Sequence, residues 1–132
     1  MADIPSPMNP VGWFEIYVTD MARARKFYEA VFGHPIESLP PMPSDPDMQM
    51  CMFPMSATAT GTSGALVKHS KMKPGVGGTL VYFSCQDCAL EAARVAAAGG
   101  TRTLPKMSIG EYGFIAMAQD TEGNLIGLHS QA

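Results

Sequence analysis

Glu15 is the residue whose surroundings ask most for an explanation. It sits inside the run WFEIYVT at 13–19, where every other side chain is aromatic, aliphatic or a hydroxyl. An ionised carboxylate is costly to bury unless it has partners or a task. With Trp13 and Tyr17 on its own face of a strand, its pKa is expected to rise toward the range useful to a general base. His129 is the second catalytic candidate, with Tyr17 and Tyr82 placed to orient a small carbonyl or hydroxylated substrate. Glu15, His69 and His129 together are a carboxylate and two imidazoles, donors of the kind that hold a divalent metal. The plainer reading of the two histidines is that they are rim residues at strand ends, and of Glu15 that it is hydrogen-bonded to its neighbours.

Other chemistry-bearing types carry less. Cys85 and Cys88 spell C-x-x-C at a strand-to-helix junction, but that position suits small buried hydrophobes better than a redox pair. Eleven methionines are many for 132 residues, and Met48, Met50 and Met52 alternate along one run, a wall suited to varied apolar ligands. No phosphate-binding glycine loop, Ser-His-Asp series or nucleotide fingerprint is present.

The elements that position these residues follow from periodicity. Residues 13–19 alternate as a strand, with Phe14, Ile16 and Val18 on one face and Trp13, Glu15 and Tyr17 on the other. Asp20 caps a helix over 21–32, with Met21, Ala24, Phe27, Tyr28 and Val31 as its apolar stripe and Gly33 as its stop. Residues 36–39, 48–53 and 65–69 read as strands. From Thr79 the pattern begins again: a strand, a helix opened by Asp87 and ended by Gly99 and Gly100, then strands over 101–104, 113–119 and 124–129. The tract DTEGN at 120–124 reads as a hairpin turn. The caps Asp20 and Asp87 and the stops Gly33 and Gly100 share one sequence offset, which favours a duplicated β-α-β-β-β unit. The expected domain is therefore single over 1–132, with internal repeats at about 11–69 and 78–130, in the α+β class. The tracts at 56–64 and 105–113 are long enough to act as lids.

Composition bounds the function classes. Nine Lys and Arg against twelve Asp and Glu give a net charge of −3, with the basic residues scattered, so nucleic acid is a poor partner. No apolar run is long enough for a membrane span. The N-terminal residues lack the basic-then-apolar pattern of a signal peptide. With an odd number of cysteines, this points to a reducing cytoplasm.

The segments DMARARKFYEAVFG at 20–33, QDCALEAARVAAAGG at 86–100 and YGFIAMAQDTEGNLIGLHS at 112–130 resemble the vicinal oxygen chelate superfamily, which includes glyoxalase I, extradiol dioxygenases and the bleomycin resistance proteins. The resemblance implies two βαβββ units, each a half-open barrel, pairing their concave faces around a site. It implies a homodimer and a small-molecule ligand in a pocket lined by Trp13, Tyr17, Met50, Met52, Leu80, Tyr82, Ser84 and Gly127. Metal-using members carry His, Gln or Glu at positions that fall here on Trp13, about Val67, Leu80 and Gly127, none of which ligates a metal. No cofactor is therefore expected, a divalent ion on Glu15, His69 and His129 being the alternative. Two functions follow: a metal-free binder of a small apolar or carbonyl-containing molecule, and a lyase- or isomerase-type enzyme with Glu15 as base.

Overall fold

Each helix begins where a short polar side chain replaces a missing backbone partner. The Asp20 carboxylate accepts from the Arg23 amide at 3.0 Å, and Asp87 accepts from the Ala89 amide at 3.0 Å. Gly33, at φ 76°, ends the first helix in the left-handed conformation that glycine adopts without strain. In the computed structural model, which describes residues 9–121 and 124–132, these helices lie within two units of the same order. The first is β1 (Val11–Tyr17), α1 (Met21–Phe32), β2 (Glu37–Ser38), β3 (Gln49–Met52) and β4 (Gly64–Lys68). The second is β5 (Thr79–Ser84), α2 (Cys88–Arg94), β6 (Thr101–Ser108), β7 (Phe114–Gln119) and β8 (Leu125–Ser130), with one 3-10 turn, Gly110–Tyr112, before β7. The expected turn at 120–124 lies outside the described residues at 122 and 123.

All the strands form one sheet in the order β2-β3-β4-β1-β5-β8-β7-β6. Within each unit the first strand runs parallel to the last, β1 with β4 and β5 with β8. The units meet edge to edge, β1 antiparallel to β5 with Phe14 opposite Val81 and Glu15 opposite Leu80. The two concave faces join side by side along this seam, Tyr17, Met50 and Val67 of the first unit clustering with Leu80 and Tyr82 of the second. Each first strand has a second free edge, and pairing these edges satisfies backbone groups that face-to-face packing would leave open.

Strand alternation sorts the core into two layers. On the helix-covered side, Met21, Ile36, Cys51 and Leu66 pack with Ile16, Val18, Ala24 and Tyr28 under α1, and Cys88, Ala92, Ala116 and Leu128 pack with Phe83 under α2. On the concave side, Tyr17, Met50, Ala65, Val67, Leu80 and Tyr82 form a third cluster, joined by Trp13, Met48, Ile115 and Met117. Leu66 is fully buried beneath α1. Leu66→Ala is expected to cost about 2–5 kcal/mol, read as a lowered urea midpoint with unchanged slope.

The helices are narrower in their contacts than the sequence pattern implies. Phe27 and Val31, assigned to the buried stripe of α1, are 58% and 57% exposed. Met21, Ala24 and Tyr28 alone fill the strip that one sheet face covers. The second helix ends at Arg94 rather than at the glycine pair, the chain to Gly99 running as a turn. Residues 105–108, taken as part of a lid, belong to β6.

Candidate functional site

The concave face holds a buried carboxylate amid aromatic and sulfur-bearing side chains. Glu15 is only 7% exposed, and the Tyr17 hydroxyl donates to its Oε1 at 3.1 Å. Burial raises the Glu15 pKa above its ordinary value; donation from the Tyr17 and Trp13 side chains opposes that rise without cancelling it. The nearby Asp45 charge pushes in the same direction as burial. Burial and the neighbouring Glu15 charge drive the Tyr17 and Tyr82 hydroxyls upward, so both remain protonated donors. This arrangement favours the protonated form of the carboxyl group relative to a free glutamate.

The pocket residues do not all share one place. Trp13, Tyr17, Met50, Leu80 and Tyr82 belong to the concave cluster. Gly127 lies beside them, opposite Tyr82 on β5 and Met117 on β7. Ser84 stands opposite His129 at the far end of β5. Met52, on the β3 face that Met50 shares by alternation, pairs with Ala65 and Glu37 at the other end of the strand. The face is filled by these side chains, and the open space lies over it. A cleft of about 260 Å³ is bounded on one side by Leu39–Pro43, Met48 and Met50, and on the other by Ile109–Tyr112. Met50 belongs both to the cleft floor and to the cluster around Glu15. The wall at 109–112 falls within the tract 105–113 expected to act as a lid, whereas the wall at 39–43 was not anticipated, although the proline-rich run at 40–46 is its visible signal.

His129 sits apart from Glu15, whereas His69 lies near enough for its charge to oppose that of Asp45 on the carboxyl. His129 Nε2 lies 2.6 Å from the Tyr112 carbonyl oxygen, so that nitrogen carries the proton and donates. His69 Nε2 lies 3.1 Å from Asp45 Oδ2, and its Nδ1 accepts from the Lys71 amide at 3.0 Å. Glu15 pairs with Leu80 and His129 with Ser84, four residues apart along β5 and so roughly 13 Å. The expected Glu15 and His129 couple is thus not formed; the strand register sends His129 to the rim. Among the described residues no three His, Cys, Asp or Glu side chains converge as a metal site, so Glu15, His69 and His129 do not make the alternative ligand set.

The positions where the resemblance implies metal ligands do not fit an ion either. Trp13, Val67 and Leu80 offer no donor atom of the required kind. A Cβ on Gly127 would lie 2.3 Å from Tyr82 Cδ1, so the tyrosine ring occupies the space into which a ligating side chain would project. The C-x-x-C pair is equally unsuited to redox work: burial and the Glu91 carboxyl push the Cys85 thiol up to about 12, whereas an activated thiol is lowered. No described helix is long and apolar enough to cross a membrane.

The sequence profile of the bleomycin resistance protein-like N-terminal family matches residues 11–53. A Streptomyces coelicolor methylmalonyl-CoA epimerase variant, solved in complex with 2-nitronate-propionyl-CoA, superposes with a TM-score of 0.69 at 19% identity, covering 96% of this chain and 99% of that one. The Mycobacterium tuberculosis methylmalonyl-CoA epimerase gives 0.66 at 14% identity, over 93% and 88% of the two chains. A hypothetical protein from Bacillus halodurans gives 0.69 at 10% identity, over 92% and 94%. No curated protein matches the chain in sequence. The architecture is the vicinal oxygen chelate fold. Within that class, the stretch 11–53 is similar to the bleomycin resistance protein-like N-terminal family.

Proposed function

We propose that the protein binds a small apolar or carbonyl-containing molecule in the cleft above the concave face, without a metal. The observation that carries this reading is the floor: Met50 closes the cleft directly over the cluster that buries Glu15. Methionine yields to irregular shapes at little cost, so a ligand can press on this floor. The lining contains no Lys, Arg or His, which favours an uncharged carbonyl compound over a phosphate-bearing one. A homodimer remains our expectation from the family resemblance.

Methyl-labelled methionine NMR tests the reading with acetophenone as probe. The Met42, Met48 and Met50 signals are expected to shift in a saturable manner while Met55, which is 61% exposed and absent from the lining, stays still. Uniform or absent shifts would remove the cleft from consideration.

A second reading, an isomerase-type enzyme with Glu15 as base, is favoured by the raised pKa of that carboxyl and by the Tyr17 hydroxyl at its oxygen. The carboxylate would take a proton from the carbon next to a carbonyl, becoming a carboxylic acid, and return it. Loss of the acetophenone methyl proton signal in D2O measures this exchange. Glu15→Gln is expected to slow it by about 100-fold or more, and equal rates in both proteins would leave only the binder.

A further inference from the structure

We infer that His69 and His129 are a matched pair of latches that hold the two walls of the cleft, each acting on its own unit. The inference rests on the cleft as the binding site. The two residues lie at the ends of corresponding strands, though two positions apart in register: His69 directly follows β4, the last strand of the first unit, and His129 lies near the end of β8, the last strand of the second. Each reaches through Nε2 to the connection between the second and third strands of its unit. His69 meets Asp45 in the β2–β3 connection, and His129 meets the Tyr112 carbonyl in the β6–β7 connection. Those two connections supply nearly the whole cleft lining, Leu39–Pro43 and Met48 from one and Ile109–Tyr112 from the other.

The backbone of both walls is lightly held apart from these contacts. In the first wall the Asp45 amide bonds to the Met42 carbonyl at 3.0 Å and the Met48 amide to Asp45 at 3.2 Å. In the second, the Ile109 amide bonds to the Gly113 carbonyl at 2.9 Å and the Gly113 amide to Gly110 at 3.2 Å. These are bonds within short turns; the Leu39 amide donating to the Met50 carbonyl at 3.0 Å and the Gln131 side-chain amide reaching the Tyr112 carbonyl at 3.5 Å are further ties to the neighbouring strands. The histidines add the short side-chain links from the ends of β4 and β8. The first imidazole is also fixed in tautomer, because the Lys71 amide donates to Nδ1 and leaves the proton on Nε2. His69 further faces Asp47, whose Oδ2 is 3.4 Å from Nδ1 and which also accepts from the Ser70 hydroxyl. The second latch acts on a neutral carbonyl, so it needs only an Nε2 proton, present in both the cationic form and one neutral tautomer.

Both histidines are thus positioning residues, and their chemistry is spent on the shape of the cleft. Residue-resolved amide exchange tests this in the intact protein. His129→Ala is expected to speed exchange at Ile109 and Gly113 by about 10-fold or more, and His69→Ala to do so at Asp45 and Met48, while the Leu66 amide keeps the unmodified rate. His129→Gln, which restores a side-chain N–H donor, is expected to return the second wall to its original rates, and both alanine variants to weaken acetophenone binding several-fold. Unchanged loop exchange, or acceleration shared equally by Leu66, overturns the latches. Failure of acetophenone to shift the cleft methionines of the unmodified protein sinks the cleft reading instead, and leaves the exchange pattern to decide the latches separately.

Discussion

Glu15→Gln is expected to stabilise the protein at pH 8, raising the thermal midpoint by about 4 °C, which roughly 1 kcal/mol produces in a domain of this size. The fold raises the Glu15 pKa, chiefly through burial, from an ordinary value of 4.5. Below that ordinary value the carboxyl is protonated in both the folded and unfolded chain, and the residue imposes no penalty. As pH climbs through it the unfolded chain ionises first, and folding must then either retain a proton or bury a charge. Stability falls over that window and levels off once the folded pKa is passed. Glutamine has no such dependence, and its carbonyl still accepts from the Tyr17 hydroxyl that now bonds Glu15 at 3.1 Å. Differential scanning calorimetry at pH 4, 6 and 8 should therefore show a gap between the two proteins that widens with pH. A glutamine variant less stable at pH 8 would mean that the ionised carboxylate is held by interactions stronger than its desolvation, contrary to the direction of the shift.

The second large effect is expected at Gly127. An added methyl group there would lie 2.3, 2.5 and 2.8 Å from Cδ1, Cε1 and Cγ of Tyr82, closer than any real contact. Tyr82 is 9% exposed and packed in the concave cluster, so its ring has little space into which to retreat. Gly127→Ala should cost about 1–3 kcal/mol. The same substitution on a Tyr82→Ala background should cost much less, because the truncated partner leaves the volume free. A double-mutant cycle followed by urea denaturation checks this, and additive effects would show that the ring moves aside at no cost. The same conflict means that a ligating side chain at 127 would need Tyr82 to be replaced as well.

Alternation made much of this legible from sequence. A strand sends successive residues to opposite faces, so Phe14 and Ile16 could be assigned to α1 and Trp13, Glu15 and Tyr17 to the concave side before any packing was known. The helix starts were legible for a similarly local reason, since Asp20 and Asp87 bond to amides two or three residues away. What local pattern does not carry is volume and register between distant segments. Whether the concave face is hollow or filled depends on how Tyr82 lies across Gly127, residues far apart in the chain. His129 was placed beside Glu15 because both face inward, but inward residues on neighbouring strands meet only if their rows coincide. Asp45 as the partner of His69 was invisible for the same reason, the contact joining a proline-rich turn to the end of a strand 24 positions away. The burial of Glu15 itself was legible because a carboxylate within an apolar strand is conspicuous without any knowledge of its neighbours.

The outer strands of the sheet bear on how the protein behaves at high concentration. One end is β2, only 2 residues long; the other is β6, whose pairing with β7 shifts register on both sides of Leu104 and which carries Arg102, Pro105 and Lys106. A proline cannot donate to an incoming strand, bulges turn the backbone away from a flat template, and the Arg102 cation repels a second copy of itself, whereas Lys106 is paired with Asp87 at 2.8 Å. The continuous sheet built across both units, which invites extension at its ends, is thus terminated by brevity on one side and by irregularity and charge on the other. Extension of one molecule onto the next through these margins is therefore disfavoured at both ends of the sheet.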